Sequence, residues 1–349
     1  MIMIKNILSP QELAVWNRLM DQSQKIVLIS HASPDGDAIG SSLGMYFHLQ
    51  SIHKSATIIV PNCFPDFLAW LPQSGVILNA QLHPQKTARM FKDADLIISL
   101  DFSSKGRIDA VENLLQSSPA RHIIIDHHLN PEYKPDLLIS NPAACSTCEM
   151  VFALLYQLGA YDGMGKEAAT CLYCGMMTDT GGFTYNSTRP EIYSIISLLL
   201  AKGIDKDKIY RNVYNNYSVD RMRFMGYILN QKMVYSPEYH ASYFTITREE
   251  MKLYNFKKGD AEGIVNIPLG IKGTQLSISL REDTEKDLIR VSLRSVDDFP
   301  CNKMAEEFFD GGGHLNAAGG SLACSMEEAE QITQKAFQEY RNLLKDNNC

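Results

Sequence analysis

Hydrophobic and polar positions follow two different periods along the first part of the chain. Short, mostly apolar β-branched runs at 25–30, 56–60, 95–100 and 122–125 read as strands, the first of the type that is covered on both faces. Helical spacing separates them. A Ser9-Pro10-Gln11-Glu12 capping box opens one helix to about residue 21, an apolar helix follows over 38–49, and others are expected over 86–92 and 107–116. Such βαβ alternation predicts a mostly parallel sheet flanked by helices. From 145 to about 235 the spacing is helical throughout. Its last stretch, 205–234, is rich in charge and tyrosine and reads as one connecting helix. Beyond Ser236-Pro237, strands at 240–246, 275–280 and 288–293 and helices at 305–309 and 326–344 predict a smaller C-terminal α/β domain. The expected division is a first domain over 1–205, a linker helix over 206–237 and a second domain over 238–345.

Three of these strands run directly into acidic and imidazole side chains. The run 25–30 leads to His31, Asp35 and Asp37, the run 95–100 to Asp101, and the run 122–125 to Asp126, His127 and His128. Ligands of an open parallel sheet bind outside the carboxyl ends of its strands, so the three clusters share one edge. Asp179, before Thr180-Gly181-Gly182, closes a helix and is a fourth candidate. Singly, an aspartate such as Asp179 or that of Asp35-Gly36 is as well explained by a turn or a cap, and His127 or His128 by a surface or core histidine. Jointly they are not. Gathered carboxylates repel one another unless cations neutralise them, and carboxylates mixed with imidazoles suit Mn²⁺ or another borderline divalent ion. Ligands in this number can fill two metal positions, which suits activation of a water against a phosphoryl group.

Length and charge narrow the choice of partner. A chain of 349 residues suits two domains, and 40 acidic against 33 basic residues leave a net charge of −7. That balance disfavours a grip on long nucleic acid and favours short pieces. The opening residues lack the form of a signal peptide, and the longest apolar run, near 195–201, is interrupted by Ser197 and far below the ~20 residues that span a bilayer. A cytoplasmic protein with no membrane partner is expected, and a homodimer is left open. Eight cysteines in a chain of this size do not form a disulfide framework. Cys145/Cys148 and Cys171/Cys174 have the C-x₂-C spacing of a zinc ribbon, but both pairs sit in apolar helical sequence, where buried thiols are the simpler account.

A second candidate site lies in the C-terminal half. In Asp310-Gly311-Gly312-Gly313-His314 the glycines would let backbone N–H groups approach a phosphate, with a helix starting after them to add its dipole. His314 could donate to a phosphate oxygen, and Arg294, at a strand end, could make a bidentate phosphate contact. The alternatives are a flexible loop and an exposed arginine.

The segments HASPDGDAIGSSLG, SLDFSS, IIDHH and MTDTGGF resemble the four motifs of the DHH phosphoesterase family, and GGGHLNAAGG resembles its DHHA1 domain. The similarity spans nearly the whole chain in family order. It is nearest the subgroup of bifunctional oligoribonuclease/pAp phosphatases, often labelled exopolyphosphatase-related. The resemblance implies a hydrolase with a DHH metal-binding domain, a linker helix and a DHHA1 substrate-binding domain. It implies two divalent ions, Mn²⁺ the expected one: His31 and Asp35 on one, Asp37, His127 and Asp179 on the other, Asp101 bridging. His128 would lie beside the scissile phosphate and Asp126 would orient its neighbours. Arg294, His314 and the backbone of Gly311, Gly312 and Gly313 would hold the far part of the nucleotide. The expected substrates are oligoribonucleotides of a few residues and 3′-phosphoadenosine 5′-phosphate (pAp). Linear or cyclic di-adenylate and polyphosphate or pyrophosphate are alternatives, and a nucleotide-binding sensor is the non-enzyme alternative.

Overall fold

The computed structural model describes residues 4–257 and 259–344; residue 345, the expected end of the second domain, lies outside them. The chain divides into two compact units, Met1–Asn216 and Tyr217–Cys349. The first unit holds strands β1 (Lys25–Ile29), β2 (Ser55–Val60), β3 (Leu78–Asn79), β4 (Leu96–Leu100), β5 (Arg121–Asp126) and β6 (Leu137–Ser140). They form one sheet in the order β3-β2-β1-β4-β5-β6, and every neighbouring pair is parallel. The order reverses between β1 and β4, which makes that junction the place where such a sheet opens a ligand crevice.

Alternate side chains of β1 enter two different cores. Ile26 and Leu28 join the larger one, with α1 (Pro10–Gln22), α2 (Gly36–Ser51), α5 (Thr147–Gln157), α6 (Lys166–Asp179), α7 (Pro190–Ala201) and α8 (Lys206–Tyr214). Val27 and Ile29 join the other, with Phe91 of α3 (Pro84–Asp93) and Leu115 of α4 (Glu112–Ser117). Burial on both faces is why the central strands are mostly apolar; each buried aliphatic side chain contributes about 1.5–3 kcal/mol. The Ser9 capping box is present as expected, with Ser9 Oγ accepting from the Glu12 amide. The helix expected over 107–116 begins only at Glu112, because Asp109 has a left-handed backbone (φ 46°) through which no helix continues.

Helix α2 approaches α6 through glycine. A methyl group at Gly36 would lie 2.2 Å from Thr178 Oγ1, one at Gly40 2.5 Å from the Cys171 carbonyl, and one at Gly44 2.4 Å from Leu172. These positions, spaced four apart, form one stripe of α2, and Gly175 of α6 is as closely met by Cys148 Sγ, at 2.2 Å. The contact brings the start of α2, with Asp37, against the end of α6, with Asp179.

The expected connecting helix over 206–237 is not one helix. It ends at Tyr214 in α8 and restarts as α9 (Val219–Tyr227), because Ser218 accepts from the Arg221 amide as a fresh N-cap; a π turn over Ile228–Lys232 and strand β7 (Val234–Ser236) then follow. The second unit continues with β8 (Ala241–Ile246), α10 (Arg248–Leu253), β9 (Leu276–Glu282), β10 (Ile289–Ser295), α11 (Cys301–Phe308), β11 (Gly312–His314), β12 (Ala317–Leu322) and α12 (Met326–Glu339). Its sheet runs β11-β12-β10-β9-β8-β7, with only β8 and β9 parallel. Among the described residues, no helix is long and apolar enough to cross a membrane.

Candidate active site

His31 and Asp101 stand at the carboxyl ends of the adjacent strands β1 and β4, and Asp126, His127 and His128 at the end of β5. The hydrophobic runs end there because the next residues leave the sheet, so their side chains turn to the same edge. His31 Nε2 lies 3.3 Å from Asp101 Oδ2 and 4.0 Å from Asp35 Oδ1. His127 Nε2 lies 3.4 Å from Asp179 Oδ2, 3.6 Å from Asp101 Oδ1 and 4.0 Å from Asp37 Oδ2. His128 Nδ1 is 2.7 Å from Asp126 Oδ1 and 3.7 Å from Asp101 Oδ1. Three sets of donor atoms are close enough to share a cation: His31, Asp35 and Asp101; Asp37, His127 and Asp179; Asp101, His127 and His128. The structure thus brings together all eight residues singled out from the first domain. Asp35 is a cap as well, for its Oδ1 accepts from the amides of Asp37 and Ala38 at the start of α2.

The electrostatics are those of a site built for cations. Burial, then the charges of Asp101 and Asp179, pushes the Asp37 carboxyl well above its ordinary range. Desolvation, then Asp35 and Asp101, does the same to Asp179. Burial also penalises charge on Asp101, but His31, His128 and His127 overcome it and hold this carboxyl below the carboxylate range. Burial disfavours charge on His31, yet Asp101 and Asp35 raise it on balance. Carboxylates that resist ionising together, interleaved with imidazoles, are the donor set of a borderline divalent cation, so the residues present fit the metals expected of them.

Thr147, absent from the sequence reading, completes the arrangement. Its hydroxyl donates to Asp101 Oδ1 at 2.9 Å and its amide to Asp37 Oδ2 at 2.6 Å, while the Cys148 amide donates to Asp37 Oδ1 at 2.8 Å. Two of the unpaired amides that begin α5 therefore face a site carboxylate, where the helix dipole favours negative charge. Glu149 fixes that end by accepting from the Cys145 amide at 2.7 Å and from Arg189 through both oxygens. The S-x-x-E form of Ser146 to Glu149 marks this helix start. Thr147→Val is expected to lower turnover roughly 10-fold or more without unfolding, since a hydrogen bond to a buried charge contributes about 1.5–3 kcal/mol. Thr147→Ser should restore most of it; steady-state rates of the two variants make the comparison.

The thiols pack rather than ligate. Cys148 Sγ fills the gap left by Gly40 and Gly175, and burial, ahead of the charge of Asp37, raises its pKa well above the usual thiol value. Burial alone lifts Cys174 to about 12. Protonated thiols of this kind are poor metal ligands.

In the second unit, Arg294 and His314 are both paired to Ala317, one from each side, so the two side chains share a row and a face of the sheet. The glycines do not precede a helix, contrary to expectation. Gly312 and Gly313 lie in β11, paired with β12, and the Gly311 amide just before them donates to the Ala305 carbonyl. Close packing is their reason: a methyl at Gly311 would lie 1.9 Å from the Gly319 carbonyl, and one at Gly320 2.1 Å from that of Phe309.

Comparison with known proteins agrees with this geometry. Residues 25–176 match the DHH family, N-terminal domain, and residues 245–342 the DHHA1 domain. An exopolyphosphatase-related protein of Bacteroides fragilis has the same structure, with a TM-score of 0.93 and 49% identity over 97% of this chain and 99% of its own. The bifunctional oligoribonuclease and PAP phosphatase NrnA of Thermus thermophilus is 27% identical over 90% of this chain and 89% of its own length. The cyclic-di-AMP phosphodiesterase PdeA of Listeria monocytogenes is 27% identical over 92% of this chain, a match that takes in 48% of that larger protein. Family motifs, domain order and the fold of a relative 49% identical coincide: this chain belongs to the DHH family of phosphoesterases, with a DHHA1 domain at its C-terminal side.

Proposed function

We propose that the chain is a two-metal phosphoesterase of short nucleotides, acting on oligoribonucleotides of a few residues and on pAp. The observation that carries the proposal is the convergence of His31, Asp35, Asp37, Asp101, His127 and Asp179 into overlapping cation sites at the carboxyl ends of β1, β4 and β5. Its relative in Thermus thermophilus supplies the substrate class. In our assignment His31 and Asp35 would hold one ion, Asp37, His127 and Asp179 the other, and Asp101 would serve both. Bound there, two divalent ions, Mn²⁺ in this assignment, supply positive charge against the reacting phosphoryl group and make a water nucleophilic at neutral pH.

The chain's own residues do the rest. Asp126 accepts from the His128 amide at 3.2 Å and faces Nδ1 at 2.7 Å, which fixes the ring. With Nδ1 facing Asp126, His128 would lie beside the scissile phosphate and present Nε2 to it. The Thr147 hydroxyl and the start of α5 hold Asp101 and Asp37 in place. Arg294 and His314, on one face of the second sheet, would bind a phosphate of the substrate, the guanidinium as a planar fork. His314 replacement should then raise KM more than it lowers kcat.

The near identity in fold to an exopolyphosphatase-related protein favours phosphoanhydride hydrolysis as a second reading. One panel separates them: pAp, pApA, a five-nucleotide RNA, cyclic di-AMP, polyphosphate and pyrophosphate, each with Mn²⁺. Turnover of pAp or short RNA well above that of polyphosphate is expected. Cleavage of polyphosphate alone would overturn the nucleotide reading and leave the metal assignment in place.

A further inference from the structure

The chain folds back on itself immediately after Asp179. The amides of Thr184 and Tyr185 both donate to the Thr180 carbonyl, at 3.0 and 3.2 Å. Gly181 and Gly182 have left-handed backbones, with φ of 55° and 74°, which the turn requires. Their missing side chains make room as well. A methyl at Gly181 would lie 2.2 Å from Cε1 of Tyr185, so the Tyr185 ring rests directly on that backbone. A methyl at Gly182 would meet Tyr210 at 3.4 Å and Tyr214 at 3.8 Å, and those two rings are 4.9 Å apart. Three tyrosines are gathered on the two glycines that follow a cluster carboxylate.

Burial and hydrogen bonding hold two of the aromatic side chains of this region. Tyr173 is buried and packs on Phe183 at 5.6 Å, and the Tyr214 hydroxyl donates to the Met177 carbonyl. Tyr185 and Tyr210, in contrast, are 49% and 45% exposed. Single exposed hydrophobic residues need no explanation; two large rings beside an acidic, metal-binding edge do. An exposed aromatic ring next to a phosphate site is a common means of holding a base without reading its edges. We infer that Tyr185, with Tyr210 on the neighbouring glycine, is the stacking surface for the nucleobase of the nucleotide whose phosphate is held at the Asp–His centre. Tyr185 is thus a specificity-determining residue that separates nucleotides from base-free phosphates. The inference rests on the nucleotide reading given above.

The test compares pAp with its abasic counterpart, using wild-type protein, Tyr185→Ala and Tyr185→Phe, each loaded with Mn²⁺. Stacking on an aromatic ring is strong enough that Tyr185→Ala should raise KM for pAp roughly 10-fold or more, with kcat changed far less. Tyr185→Phe should keep the wild-type KM, because it retains the ring. KM for the abasic compound and the Mn²⁺ affinity of the protein, measured by calorimetry, should stay unchanged in both variants. An equal KM for pAp in wild-type and Tyr185→Ala overturns the inference while leaving the nucleotide reading intact. So does a Tyr185→Ala protein that loses Mn²⁺ affinity or abasic turnover as well, since that is a structural role. A wild-type enzyme that cuts pyrophosphate and no nucleotide removes both.

Discussion

Asp101→Asn is expected to reduce turnover by roughly 10³-fold or more while the protein stays folded. Asp101 is buried at the end of β4, within 4 Å of His31, His127 and His128, and accepts the Thr147 hydroxyl. Its backbone is left-handed, with φ 67°. Asparagine tolerates that conformation, keeps the shape of the side chain and still accepts from Thr147, so only the charge is removed. Alanine adds strain of about 1–2 kcal/mol and leaves the Thr147 hydroxyl unpaired, which would confuse chemistry with stability. The check is the single-turnover rate on pAp beside a thermal melt in EDTA. A melt like the wild type with turnover lost places Asp101 in the reaction centre; near-normal turnover removes it from there.

The site was legible in the sequence to the extent that its residues follow strands. His31, Asp101 and Asp126 to His128 each come after a mostly apolar run, and the rule that such strands present their carboxyl ends to ligands needs no coordinates. Asp179 was legible through the glycines after it. What the sequence hid were residues whose role comes from contacts remote along the chain. Thr147 reaches Asp101 and Asp37 across 46 and 110 residues, and nothing around a threonine in an apolar helix signals it. The apolar helix expected over 38–49 gave no sign that Gly36, Gly40 and Gly44 form the contact that sets Asp37 against Asp179. The break at 215–218 was hidden because charge and tyrosine continue through it at helical spacing, while the N-cap that resets the helix is a single serine. Gly311 to Gly313 misled in the other direction. Glycines permit both a phosphate-binding turn and a tight hairpin, and only the facing Gly319 and Gly320 decide for the hairpin.

The start of α5 explains how the site can exist before any cation arrives. Asp37 and Asp101 are buried within one cluster, and two buried like charges cost far more than an exposed pair. The amides of Thr147 and Cys148 and the Thr147 hydroxyl offset part of that cost, and the imidazoles of His31 and His127 offset more. Asp179 has the least help. It stands at the C-terminal end of α6, where the dipole disfavours a negative charge, and burial, then the charges of Asp35 and Asp101, raises its pKa.

Chelating the divalent ions should therefore cost the protein stability as well as activity, and the two losses can be separated at Asp179. A ligand at 100 times its Kd stabilises by about 2.7 kcal/mol, so two filled sites correspond to roughly 5 kcal/mol and a rise in Tm on the order of 10 °C for a unit of this size. Wild-type protein should melt that much higher in Mn²⁺ than in EDTA. The sign reverses for Asp179→Asn in EDTA. A carboxyl whose folded pKa is raised above its unfolded value destabilises the fold once pH exceeds the unfolded value, so at pH 7 its removal should raise the metal-free Tm. In Mn²⁺ the same variant should gain less than the wild type, because one cation set has lost a charged donor. The two melting curves of the variant thus move toward each other from both sides. A variant that melts lower than wild type in EDTA and gains as much from Mn²⁺ would show that Asp179 supports the fold and holds no cation.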